Sequence, residues 1–168
     1  MTEPRWLTDD EQLAWRALLA MNLMLEEELD RQLRRDAGMP HAYYQILAML
    51  SEAPNRVLRM SELARITGFS PSRLSHAVAK LEDGGLVVRE PCEEDGRGFW
   101  CVLTDHGHEV LAAAAPGHVA MVRHLLFDRL TPNQVEQLRR IAERALTAVD
   151  SDRFGGRFAG RTGTARSR

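Results

Sequence analysis

A chain of 168 residues, 44 % hydrophobic and 27 % charged, is long enough to bury a core and is most simply one compact unit. Its formal net charge of −2 argues against a nucleic-acid binder unless the charge is unevenly placed. Two cysteines, Cys92 and Cys101, are too few for a disulfide framework. No apolar run reads as a bilayer span and the N-terminus lacks a secretory core, so a cytosolic place and no membrane partner are expected.

The first predicted helix opens at Thr8, where Thr8 and Glu11 form a capping box and Asp9 and Asp10 suit the helix dipole. Helical spacing runs through Ala14, Leu18, Met21, Leu25 and Leu29 to Leu33, with a second apolar row at Trp15, Leu19 and Leu23. That face is wider than one packing partner requires. Gly38 and Pro40 end the helix. A second helix is predicted from about His41 to Leu50, followed by a loop over Ser51 to Asn55 and a short strand at Val57-Leu58-Arg59.

Ser61 is expected to cap a short helix holding Leu63, Ala64 and Ile66, with Gly68 supplying a left-handed turn and Phe69 plugging the corner. Ser70 caps the next helix and Pro71 takes its first position. At 100° per residue, Leu74, Ala77, Val78 and Leu81 gather on one side. Ser72, Arg73, His76 and Lys80 gather on the other, with Ser75 at the edge. Lys80 is the sole lysine of the chain. A helix of this width with such donors suits a major groove.

Asp83-Gly84-Gly85 ends this helix. Leu86 to Glu90 and Phe99 to Leu103 read as two strands of a hairpin, with Asp95 and Arg97 flanking Gly96 at its tip. Asp95 would orient Arg97 toward a minor groove, and Arg89 on the adjacent strand would contact a phosphate. Helix, turn, helix and charged hairpin in this order describe a winged helix-turn-helix on double-stranded DNA. The alternative is a winged-helix module that binds another protein without specific DNA binding.

Thr104 and Asp105 start a further helix to about Phe127, in which Pro116-Gly117 predicts a kink or break. Thr131, Pro132 and Gln134 start the last helix, with an apolar stripe of Val135, Leu138, Ile141, Ala145 and Leu146. Residues 151–168 hold Gly, Arg, Ser and Thr around Phe154 and Phe158. They read as a basic, disordered tail or an accessory phosphate contact.

The chain resembles the MarR family of bacterial transcriptional regulators over about Thr8 to Val149. The residues that carry the resemblance are SELAR, SPSRLSHAVAKLEDGGLV, the wing EEDGRG and the following LTDHG. The family often has a second basic residue between the Asp and the Arg of the wing; here that place is Gly96. The resemblance implies a mainly α fold with a small β-hairpin wing over residues 1–150. Segments 8–36 and 104–149 would be dimerisation helices and 41–103 the winged-helix region. It also implies a homodimer on a pseudo-palindromic operator, and repression relieved by a small aromatic or anionic effector.

Trp15, His41, Tyr43 and Tyr44 are the candidate effector pocket, where the first two helices should meet; the alternative is ordinary core packing. Cys92 and Cys101 would face each other across a two-residue turn at Gly96-Arg97, either as a redox pair or as two small buried residues. His106, His108, His118 and His124 lack metal-site spacing, and neither a catalytic motif nor a cofactor motif stands out, so no enzyme, metal or cofactor is expected.

Overall fold

The computed structural model describes residues 4–92 and 98–147. Helix α1 (Asp9–Ala37) leads to α2 (His41–Glu52), strand β1 (Val57–Arg59), α3 (Met60–Thr67) and α4 (Pro71–Asp83). Strands β2 (Val87–Pro91) and β3 (Phe99–Leu103) precede α5 (Asp105–Leu125) and α6 (Pro132–Leu146). The strands form one antiparallel sheet of order β1-β3-β2. The winged helix-turn-helix is therefore present, flanked by long helices.

Local chemistry sets most boundaries. Thr8 and Thr131 each make the reciprocal capping box, with Glu11 and Gln134 respectively. Gly38 and Gly68 close α1 and α3 at φ 65° and 72°, where a Cβ would be strained. The core is built mainly from α2, α3, α4 and the inner sheet face, with Ile46, Leu47, Leu50, Leu63, Val78, Val87 and Cys101 fully enclosed.

Several expectations need correction. Ser61 is not the cap of α3: β1 stays paired through Arg59, opposite Trp100, so the helix begins directly at Met60 and Ser61 lies inside its first turn. α2 runs two residues past Leu50, and Pro54–Arg56 is a 3-10 turn with Asn55 at φ 54°. α5 is one helix through Pro116-Gly117. A proline removes one backbone bond, and α1 packs along this helix. Gly117 allows that packing to be close, since an added Cβ would stand 3.1 Å from Gln32 Nε2.

The hairpin register also differs. Arg89 pairs with Cys101, and the Cys92 N–H donates to Gly98 O at 2.9 Å, so the two cysteines are three positions out of register. The expected turn at Gly96-Arg97 lies outside the described residues, as do Asp95 and the tail over 151–168. Finally, the segment Asp105–Arg129 is long and apolar enough to cross a bilayer by length and composition, which the sequence reading had excluded.

The sharpest packing constraint is the junction between wing and α5. Thr104 Oγ1 donates to Gly85 O at 2.8 Å and accepts from the Gly107 N–H at 2.9 Å, capping α5. A Cβ on Gly107 would meet Leu86 O at 2.1 Å. The Gly107→Ala variant should therefore lose about 3 kcal/mol or more of stability, read as a lower urea midpoint.

Candidate nucleic-acid interface

α4 is aimed by its N-terminal turn. Ser70 Oγ accepts from the Arg73 N–H at 3.2 Å, and Pro71 occupies the first helical position. Leu74, Ala77, Val78 and Leu81 are buried against the core, as the helical period requires. Ser70, Ser72, Arg73, Ser75, His76 and Lys80 are all exposed. One anchored face thus leaves a row of hydroxyl, guanidinium, imidazole and ammonium groups facing outward. Arg73 is further held by its guanidinium carbon, 4.2 Å from the centroid of the Phe69 ring.

The far end of this row is charge-balanced. Lys80 Nζ lies 3.2 Å from Asp83 Oδ2. Arg89, placed by the sequence on a phosphate, is bound instead to Glu82. Its backbone N–H and its Nε both donate to that carboxylate at 2.9 Å, and Nη2 adds a third bond. The guanidinium holds the Glu82 carboxyl below the usual range. No feature of the sequence pattern had singled out Glu82. Asp95 and Arg97 lie outside the described residues.

A cleft of about 510 Å³ opens between α3, the start of α4 and the wing. Met60, Ala64, Leu74 and Phe99 supply apolar walls, and Arg59, Ser75 and Arg89 supply polar ones. Cys92 also lines it but is almost fully buried. The Cys101 thiol is pushed up to about 12, chiefly by burial and then by the Glu82 charge.

The four aromatic and polar residues expected to share an effector pocket do not meet. Trp15 is 51 % exposed and lines a separate groove with Trp6, Leu7, Gln12 and Arg16. His41 Nδ1 is 3.0 Å from Glu26 Oε2, and Glu26 lies eleven positions along α1 from Trp15, about 16 Å of helix rise. His41 and Tyr44 instead gather around His118 of α5, with ring centroids 5.4 and 4.3 Å away. Tyr43 is half-buried. The sequence carried no pairing signal for His118, because its partners come from helices far apart along the chain.

Comparison with known proteins follows the same geometry. A family model described as the MarR family matches residues 37–98. An HTH-type transcriptional repressor of Mycobacterium tuberculosis is 30 % identical, over 82 % of this chain and 96 % of its own length. The crystal structure of a MarR family transcriptional regulator from Streptomyces coelicolor in complex with DNA is 53 % identical. Its match covers 89 % of this chain and 94 % of that one, with a TM-score of 0.83. AbsC, a MarR family regulator from the same organism, is 43 % identical over 86 % of this chain and 99 % of its own, with a TM-score of 0.76. The chain belongs to the MarR family. It is a winged helix-turn-helix transcriptional regulator.

The His41–His118 contact has a pH consequence. Burial and then the neighbouring His41 lower the affinity of His118 for a proton. The unfolded chain thus binds that proton more readily, and folded stability falls as pH drops through the ordinary histidine range near 6.5. Urea unfolding at pH 7.5 and 5.5 should show this loss, and His118→Asn should shrink the difference.

Proposed function

We propose that this chain is a sequence-specific regulator of transcription that binds double-stranded DNA as a homodimer, with repression as its mode. The observation that carries the reading is the exposed row on α4, with Arg73 stacked at its head on a helix anchored along its opposite face. In this reading Ser70, Ser72, Arg73, Ser75, His76 and Lys80 face the major groove, while Asp95 orients Arg97 into the minor groove. Bacterial DNA as the partner implies a cytosolic place. The DNA-bound relative supports the docking mode, and the mycobacterial repressor supports the sign of regulation.

The flanking helices support a second copy as partner. Among the described residues α6 buries none of its side chains, and Ile141 is 67 % exposed. Leu23 of α1 and Val119 of α5 are also open. The stretch of α5 apolar enough for a bilayer is only 6 % buried. Apolar surface on this scale needs a cover. A twofold partner supplies one and sets two α4 helices about one DNA turn, some 34 Å, apart. Segments 8–36 and 104–149 are the dimerisation region in this reading, and 41–103 the DNA-binding region.

For a small aromatic or anionic effector, the 510 Å³ cleft beside α4 is a better-shaped seat than the dispersed Trp15, His41, Tyr43 and Tyr44 set. It has apolar walls for a ring and polar groups of Arg59 and Ser75 at its rim.

Fluorescence anisotropy against the DNA upstream of the chain's own coding region, at two salt concentrations, tests the reading. Affinity should fall steeply with salt. Arg73→Ala should cost about 1–3 kcal/mol, and Arg97→Ala should weaken binding across all sequences. Parent affinity in both variants refutes the docking. In sedimentation velocity the parent should run as a dimer, and Leu23→Glu with Ile141→Glu should shift it toward monomer.

A further inference from the structure

The last turn of α4 carries two acidic residues, Glu82 and Asp83, at the surface proposed to meet DNA. Each faces a cation of that surface: Asp83 faces Lys80, and Glu82 faces Arg89. The second pair is the more constrained. Three hydrogen bonds join one carboxylate to one residue, and one of them comes from the backbone of β2. The side chains are only one third exposed, 33 % for Arg89 and 32 % for Glu82. An ordinary surface pair is mobile and worth little, but a carboxylate that also accepts from a backbone N–H fixes both partners.

This contact does two things at once. It ties the middle of the wing's first strand to the end of the recognition helix, and it balances the Arg89 charge beside the DNA face. By contrast, Arg73 and His76 have no carboxylate partner among the described residues. A guanidinium without a carboxylate partner thereby remains at Arg73, in the first turn of α4.

We infer that Glu82 is a specificity-determining positioning residue: it holds Arg89 to the recognition helix and keeps its charge from phosphates of arbitrary sequence. The inference rests on the DNA-binding reading of α4. Phosphate contacts carry no sequence information and raise affinity for every duplex. An Arg89 released from Glu82 would therefore bind indiscriminately and narrow the margin between operator and bulk DNA.

Anisotropy titrations with a random-sequence 30-base-pair duplex and with the upstream fragment, over 50–300 mM KCl, test this. The full chain is compared with E82Q, R89Q, E82Q/R89Q and E82D. E82Q should bind the random duplex several-fold tighter at the lowest salt. Its plot of log affinity against log salt should steepen by about 0.9 for each Arg89 that reaches a phosphate. R89Q alone should keep the parent slope, the double variant should return to it, and E82D should stay near it. An unchanged slope in folded E82Q overturns the inference, and so does a flattened slope in R89Q alone. The R89Q result decides the matter even where E82Q fails to fold. Loss of the DNA-binding reading itself would show differently, as a parent chain that binds neither duplex in a salt-dependent way.

Discussion

The geometry of the DNA-binding unit depends on the joint at Gly85, Leu86, Thr104 and Gly107. Gly85, at φ 70°, turns the chain out of α4. The freed Leu86 carbonyl then accepts from the Thr104 N–H at 3.1 Å and the Thr104 hydroxyl at 3.1 Å, while Gly107 packs directly on it. One carbonyl thus fixes the end of the recognition helix, the start of the wing and the first turn of α5. Arg56 adds a strut from the opposite side, with Nη1 3.0 Å from Asp105 Oδ1. This joint, with the Glu82–Arg89 contact between α4 and β2, sets the angle of the wing to α4 and of α5 to both.

The joint also explains why the halves of the chain differ so much in burial. The segment from α2 to β3 supplies most of the core, which Leu33 of α1 and Leu111 of α5 join, and leaves little large apolar surface open. α1 and α5 pack on each other, closely where Gly117 faces Gln32 and Asp36, and among the described residues α6 buries none of its side chains. Long helices that leave Leu23, Val119 and Ile141 open suit the homodimer proposed above. Rotation of one such helix would carry the α4 of its own protomer with it through Thr104. In the homodimer proposed above, a change at the helical region would alter the spacing between the two α4 helices.

Sequence pattern revealed the elements whose signals are local. The α4 period at Leu74, Ala77, Val78 and Leu81, the Ser70-Pro71 start, both capping boxes and the Gly68 turn needed only neighbours within four residues. It failed where partners are distant. Ser61 has the chemistry of a cap, but pairing of Arg59 with Trp100, far along the chain, decides where α3 begins. The strand register hung on a turn assumed from Gly96, and a slip of three removed the pairing of Cys92 with Cys101. Trp15 and His41 share a composition but not a place, since a rigid helix holds their surroundings apart. Gly107 looked like part of a motif, and only the packing shows that Leu86 O leaves no room for any other residue.

Charge follows the same division between local and distant. A net charge of −2 is unusual for a protein read as a DNA binder, and the structure shows why it is compatible. Many carboxylates are paired within their own helix, as Glu27 and Glu28 are with Arg31 and as Glu136 and Glu143 are with Arg139. Such pairs cancel at short range and leave little field beyond a Debye length. They sit on α1 and α6, away from the outward row of α4. In the proposed docking a duplex would meet not the total but the local surface, where Arg73 stands exposed in the first turn of α4. In the docking proposed above, the phosphate attraction that makes binding fall with salt is therefore a property of the local surface around α4 and the wing, and the net charge of the whole chain says little about it.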